Sequence, residues 1–276
     1  DFPQFDPESP DLHLLIHPIL TVTRDASGEA LLADAAHRAL LVAHAGACPG
    51  ALAAGAYKRF GVVPGAFRRH LAALHPRLLH AHFGPDALAA IPLARRLRLP
   101  LIATFHGFDI CIDHPRNRYR RRRHRVFAAA TRVIAVSRFI ADKLRAAGCP
   151  ADKIVHHRIG IDCERFRPPA DARERRDIVF VGRLVEKKGC LDLLAALARA
   201  GRDLDGHRLH IIGDGPLRPA LEQQAAAAGI AERVVFHGRQ PPAFVVDRLA
   251  RAALLCGPSV TGGNGDAEGL GMVFLE

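Results

Sequence analysis

Acidic residues are in short supply in this chain of 276 residues: 28 Asp and Glu stand against 39 Lys and Arg, a formal net charge of +11. Such a balance points to an anionic partner, whether a phosphate-bearing substrate, a membrane surface or a nucleic acid. Close cysteine pairs are absent as well. Cys48, Cys111, Cys149, Cys163, Cys190 and Cys256 contain no C-x-x-C spacing, which argues against a zinc ribbon or a disulfide scaffold and fits a reduced, cytoplasmic setting. The 16 histidines contain no H-E-x-x-H pattern. No metal site is therefore read, and His80, His82, His156 and His157 are taken as core or surface residues. A long apolar run is missing too. The stretch 39–56 has only His44 as a strongly polar residue, but it is mostly Ala and Gly and is interrupted by Pro49, which argues against a membrane span and leaves two contacting helices or a surface pressed on lipid as readings. The chain opens Asp1-Phe2-Pro3 without a signal peptide, and residues 269–276 read as the start of an apolar helix. Both ends are expected to be those of a fragment.

What is present is the composition of a folded protein, 49% hydrophobic and 24% charged. The length suits one large domain or two modest ones. Short apolar runs at 12–17, 78–82, 101–105, 132–136 and 153–157 read as strands. Helical patterns fall at 30–47, 65–74, 86–98, 118–129 and 138–147. Residues 164–177 turn polar, with Pro168-Pro169 and a charged run, which is a linker signature. The alternation then restarts: strands at 178–181, 208–212, 234–236 and 253–256, and helices at 189–200, 217–228 and 242–252. Strands alternating with helices of this length predict parallel βαβ sheets. The fold class is thus α/β, with two Rossmann-like domains, 1–170 and 171–276.

In open α/β sheets ligands bind beyond the carboxyl ends of the strands, which directs attention to the loops there. The segment Gly182-Arg183-Leu184-Val185-Glu186-Lys187-Lys188-Gly189 follows a strand and opens a helix. Its planar guanidinium, its ammonium and the helix start suit a phosphate or diphosphate site, a solvated basic turn being the equal alternative for this loop taken alone, and the glycine spacing is not that of a Walker A loop. The Gly-rich segment 262–271 contains Glu268. Glu276, eight residues on, would lie about two helical turns further along, so both carboxylates could line one side of an elongated ligand such as a sugar. Backbone amides at Gly269, Leu270 and Gly271 offer an anion cradle. In the first half, Thr104-Phe105-His106-Gly107-Phe108-Asp109 closes a strand with a histidine suited to stabilising developing charge or positioning a hydroxyl.

Taken together and in order, these segments resemble family 4 glycosyltransferases of the GT-B fold. The resemblance is carried by Gly182-Arg183-Leu184 with Lys188-Gly189, Ile211-Ile212-Gly213-Asp214-Gly215-Pro216, Val235-Phe236-His237-Gly238, and Glu268 with Glu276. Upstream it is carried by residues 104–109 and Val133-Ile134-Ala135-Val136-Ser137. His80-Ala81-His82-Phe83-Gly84 and Gly160-Ile161-Asp162 look like the exopolysaccharide or colanic-acid branch. The resemblance runs from about residue 78 to the end. It implies retaining transfer from a nucleotide-sugar donor to a glycan or polyprenyl-diphosphate-linked acceptor, with no bound metal and no cofactor. It also implies roles: Arg183 and Lys188 on the donor diphosphate, Glu268 on the donor sugar, Glu276 on the ribose, and His106 by the reacting centre. Gly182 supplies the sharp turn, and the loop of His237, Gly238 and Arg239 takes the base. The chain departs from the pattern in its first 30 residues, where the usual first strand and Gly-rich loop are not seen. It departs again after Glu276, where helices completing the second domain are expected, and the loop 261–266 is expected to be mobile. Other readings are a degenerate GT-B fragment that binds nucleotide or glycan, and a sugar-nucleotide epimerase of the same fold.

A last feature stands apart. Seven arginines lie between Arg116 and Arg125 inclusive. As a helix this run would be basic on all faces; a solvated helix is the slightly favoured reading, and anionic lipid on the inner face of a cytoplasmic membrane, a polyprenyl diphosphate or an acidic glycan is the other. Tyr119 is its one aromatic residue and no nucleic-acid-binding motif accompanies it, which argues against nucleic acid.

Overall fold

The computed structural model describes residues 14–15, 69, 77–112, 119–167 and 176–276. The expected helices at 30–47 and 65–74 (Arg69 apart), the apolar stretch 39–56, Cys48, Arg116, Arg118 and most of the linker lie outside the described residues. The chain divides into two compact units, Asp1–His157 and Arg158–Glu276.

In the first unit the described strands form one parallel sheet in the order β1 (Leu14–Leu15), β2 (Leu79–His82), β3 (Leu101–Phe105), β4 (Arg132–Ala135) and β5 (Ile154–His156). Parallel neighbours require a crossover between them. Helix α1 (Gly84–Leu97) supplies the one from β2 to β3, the short α2 (Phe108–Cys111) follows β3, and α4 (Arg138–Ala146) supplies the one from β4 to β5. Local sequence sets their ends. Pro85 and Asp86 occupy the first turn of α1, and Arg95 and Arg96 its last, matching the helix dipole. Ser137 caps α4, its Oγ accepting from the Ile140 amide at 3.2 Å. Leu79, Ala81, Leu101, Ala103, Phe105 and Val133 are fully enclosed.

The helix expected over 118–129 is not continuous. Arg120–Arg122 forms a 3₁₀ turn, followed by α3 (Arg123–Ala129). Like charges three and four residues apart repel, and the first turn of α3 has no acid to match its dipole. Nor is α3 basic on all faces, since Val126 and Phe127 are buried, the latter 6.1 Å from the Phe105 ring.

The second unit carries a parallel sheet in the order β8 (Val234–Gly238), β7 (Arg208–Ile212), β6 (Asp177–Val181) and β9 (Ala252–Leu255). Helices α5 (Cys190–Ala200), α6 (Arg218–Ala227) and α7 (Pro242–Arg251) make the crossovers. Leu193, Leu194 and Leu197 of α5 pack with Phe180, Leu209, Ile211 and Leu221. The strand order reverses between β6 and β9, so the crevice at their carboxyl ends is a topological switch point. Two expectations are corrected here. Strand β8 continues to Gly238 through a bulge in which Phe236 faces Ile211, Gly238 faces Ile212 and His237 is the extra residue. Residues 269–276 do not start an α-helix: Gly269 to Gly271 are not helical, and only a 3₁₀ turn, Met272–Phe274, forms. Glycines at 269 and 271 disfavour helix nucleation there. Glu276 therefore does not sit two helical turns beyond Glu268.

Candidate active site

Two loop clusters stand at the carboxyl edges of the sheets, one in each unit. In the second unit, backbone bonds join the loops to one another. The Gly182 amide donates to the Ile212 carbonyl at 3.0 Å and the Leu184 amide to the Asp214 carbonyl at 3.0 Å. The Gly213 amide donates to the Gly238 carbonyl at 2.8 Å and the Val260 amide to the Lys187 carbonyl at 2.9 Å. At Gly213 and Gly189 the approach leaves no room for a side chain. A Cβ on Gly213, at φ +134°, would lie 1.9 Å from the Gly182 carbonyl oxygen, and one on Gly189, at φ +66°, would lie 1.8 Å from that of Pro258.

Three consecutive side chains then tie the loop after β6 to the loop after β9. Glu186 Oε1 accepts from the Gly263 amide at 3.0 Å. Lys187 Nζ lies 3.0 Å from Asp266 Oδ1. Lys188 Nζ is ion-paired with the Glu268 carboxylate, both groups being largely shielded from solvent. The loop 261–266, expected to be mobile, carries bonds of its own: Gly262 amide to Asp266 carbonyl at 2.9 Å and Asp266 amide to Asn264 Oδ1 at 2.9 Å. Lys188 and Glu268, 80 residues apart in sequence, are thus brought together. Gly269, Leu270 and Gly271 follow directly, Gly269 being buried. Phe274 packs over Gly271, where a Cβ would come 2.7 Å from its ring. Arg183, Arg239 and Glu276 are exposed. A cation and a carboxylate held side by side in a partly buried crevice can serve a diphosphate and a set of hydroxyls at once.

In the first unit the ends of β2 and β3 are organised by Asp109, which is 5% exposed. Its Oδ1 accepts from the His106 and Gly107 amides at 3.1 and 2.9 Å, and its Oδ2 from the Gly84 amide at 3.0 Å. Burial pushes this carboxyl up, and the amides pull it part of the way back. Phe83 sits at φ +69°, a costly conformation for a residue with a side chain. Its ring packs 4.5 Å from His106 and 5.1 Å from Phe108. His106 Nε2 is 2.9 Å from His82 Nδ1, and His80 Nε2 is 2.7 Å from Thr104 Oγ1. Burial, with His82 adding to it, lowers His106 to about 4, so its imidazole is neutral at pH 7 and acts as a hydrogen-bonding group rather than as a cation.

Two expectations arise from this cluster. Asp109→Ala strands three amides and should cost about 2–4 kcal/mol, read as a lower denaturant midpoint. For His106 the folded value lies below the unfolded one of about 6.5, so the unfolded state binds the extra proton. Its contribution is fully present above about pH 6.5 and is lost as pH falls towards 4. Urea midpoints at pH 7 and 4.5 should therefore differ less in His106→Gln than in the wild type.

Sequence reasoning singled out His106, Lys188 and Glu268 but gave no role to Asp109, His82, Lys187 or Asp266. Asp109 sits three residues after His106 in the quoted segment, which is the signal that was there to find. Lys187 and Asp266 are 79 residues apart and carry none. Among the described residues no group of three or more His, Cys, Asp or Glu could hold a metal ion, and no helix is long and apolar enough to cross a membrane.

Two parallel α/β units, one with a cation–carboxylate pair at its switch point, define a GT-B architecture. Residues 17–165 match the family model described as Glycosyltransferase Family 4, and residues 164–276 match that of Glycosyl transferases group 1. The chain belongs to the family 4 glycosyltransferases. It is 31% identical over 200 residues, 71% of this chain and 49% of the relative, to the putative colanic acid biosynthesis glycosyltransferase WcaL of Escherichia coli K12. It is 33% identical over 211 residues, 70% of this chain and 54% of the relative, to the GDP-mannose-dependent alpha-(1-6)-phosphatidylinositol monomannoside mannosyltransferase of Mycolicibacterium smegmatis. The chain spans about half the length of these curated relatives. Among solved structures, Anabaena HepE in complex with UDP and glucose matches with a TM-score of 0.61 and 21% identity, covering 75% of this chain and 58% of that one. That likeness supports the fold.

Proposed function

We propose that the chain is the donor-binding and part of the acceptor-binding portion of a glycosyltransferase. The enzyme moves a sugar from a nucleotide-sugar to a glycan acceptor in surface polysaccharide or glycolipid assembly, with retention at the transferred carbon. The observation that carries this is the Lys188–Glu268 pair, fixed at the β6–β9 switch point of a family 4 chain. In this reading Lys188 and Arg183 hold the donor diphosphate and stabilise it as it leaves, which is the largest service a site can render to such a departure. Glu268 accepts from donor-sugar hydroxyls, Gly269, Leu270 and Gly271 turn amides to the phosphate, and Glu276 meets the ribose. His106, kept neutral, donates or accepts a hydrogen bond near the reacting centre. The relatives named for colanic acid and for a phosphatidylinositol mannoside support a lipid-linked or surface glycan acceptor. The exposed Arg121, Arg122 and Arg125 support binding at an anionic membrane surface on the cytoplasmic side.

The test is thermal stability with UDP, GDP and ADP. Selective stabilisation by one of them is expected, because a ligand at a hundred times its dissociation constant stabilises by about 2.7 kcal/mol. A folded chain that none of the three stabilises would overturn the donor reading and favour a degenerate GT-B protein.

A further inference from the structure

In the second unit a hydrogen-bonded chain of side chains crosses the sheet and ends on His237, in the bulge near the carboxyl end of β8. His210 Nε2 lies 3.3 Å from Asp177 Oδ1, and His210 Nδ1 lies 2.8 Å from His237 Nε2. The two imidazole planes are within 14° of parallel, with 5.1 Å between centroids, so the rings meet edge to edge as an in-plane hydrogen bond requires. His210 is buried in the middle of β7, at 7% exposure. From α7, Arg248 Nη1 reaches Asp177 Oδ2 at 3.5 Å, and the Phe244 ring packs 5.1 Å from His237.

The chemistry of this chain runs in one direction. A carboxylate only accepts, so the hydrogen in the first contact belongs to His210 Nε2. A neutral imidazole carries a single N–H, which leaves His210 Nδ1 as an acceptor. His237 Nε2 must then be a donor, and its own Nδ1 is left with a lone pair. Neutral rings are what the surroundings favour. Burial lowers His210 against the pull of Asp177, with Arg248 and Arg208 adding to the lowering, and burial, His210 and Arg248 lower His237.

The chain also has something to hold. His237 is the extra residue of the β8 bulge, a device that re-aims side chains near sites. Gly238 beside it is at φ +66°, its carbonyl accepting from the Gly213 amide, and Gln240 Nε2 donates to the His237 carbonyl at 2.8 Å. Without a partner for its ring, the extra residue has no ladder position to define it.

We propose that His210, backed by Asp177, is a positioning residue for nucleobase recognition: it fixes the ring and tautomer of His237 and thereby the orientation of the 237–240 loop. This rests on the donor-site reading together with the family resemblance, which gives that loop to the base. A buried pair that merely fills space would affect base and phosphate binding alike, whereas a positioning pair acts on the base alone.

The test combines ring-nitrogen NMR on the ¹⁵N-labelled chain with titration of UDP, GDP and inorganic pyrophosphate. Wild type should show both His210 and His237 protonated on Nε2 near pH 7. His210→Leu should weaken the preferred nucleotide about tenfold, change pyrophosphate affinity less than twofold, and mix the His237 tautomers. His210→Asn, whose amide oxygen offers an acceptor where Nδ1 stood, should recover nucleotide affinity to within about threefold of wild type. It serves as the deciding variant if the leucine protein does not fold. Wild-type His237 protonated on Nδ1, unchanged nucleotide affinity in the folded leucine variant, equal losses for nucleotide and pyrophosphate, or no recovery with asparagine would each overturn the proposal. A wild type that binds pyrophosphate but neither nucleotide overturns the base assignment of the loop. One that binds none of the three overturns the donor reading and this inference with it.

Discussion

Lys188→Ala is expected to raise the dissociation constant for the nucleoside diphosphate by about ten- to a hundredfold. A hydrogen bond from an ammonium to a charged oxygen contributes about 1.5–3 kcal/mol, and each 1.4 kcal/mol is a factor of ten. The shielded position of Lys188 places it at the upper end of that range. Arg183, being exposed, should show the smaller effect, about three- to tenfold, because solvent screens its charge. The variant also leaves Glu268 without its ion-pair partner, so the comparison needs Glu268→Gln and the double variant. A coupling of about 0.5–3 kcal/mol in the cycle is expected for groups in contact. Isothermal titration reads the affinities, and a melting curve checks that the variants stay folded. Nucleotide affinity unchanged in both Lys188→Ala and Arg183→Ala would remove the diphosphate assignment.

Gly213→Ala should be among the most destabilising single substitutions in the second unit, at about 3–5 kcal/mol. Two costs add. A residue with a Cβ at φ +134° is strained by about 1–3 kcal/mol. The new methyl would also stand 1.9 Å from the Gly182 carbonyl oxygen, so backbone must move. Gly229→Ala is the natural control. Its φ is +67°, yet a Cβ there would meet nothing within 4 Å, so only the left-handed backbone cost applies, about 1 kcal/mol at its lower end. For a unit of this size each kcal/mol shifts melting by about 4–8 °C. The expected fall is therefore over 10 °C for Gly213→Ala and about 4–8 °C for Gly229→Ala. Calorimetry should be fitted with separate transitions, because two units need not melt as one. Equal falls for the two variants would show that the close approach at Gly213 is relieved at little cost.

The fold was legible because hydrophobic periodicity is local. Strands 101–105 and 208–212 begin and end in the structure where their apolar runs do. The misreadings share a cause. Residues 118–129 had helical spacing, but the repulsion among arginines and the missing first-turn acid are not part of a periodicity count. The expected helix at 269–276 had apolar residues at the right intervals, but nucleation across Gly269 and Gly271 was not weighed. In the site, Lys188 and Glu268 were legible only as two separate features whose order fitted a family. Their pairing depends on the β6–β9 adjacency, which no local pattern encodes. His210 was invisible for a related reason: a histidine inside an apolar strand looks the same whether it faces nothing or faces His237 from the next strand.

The loops around the crevice are joined mostly through main-chain atoms, from Gly182 to Ile212, from Gly213 to Gly238 and from Val260 to Lys187. A scaffold of that kind is indifferent to most side-chain replacements, since an amide and a carbonyl persist whatever residue bears them. Under the proposed donor reading, an exposed rim position such as Arg239 is then free to drift under selection for a new base or sugar, while glycines such as Gly213 and Gly189 that permit the close contacts are not. If the proposed donor reading holds, a change of donor preference on such a frame should need few substitutions and cost little stability. A short combinatorial library at the rim, with the glycines held constant, is where altered specificity should be sought.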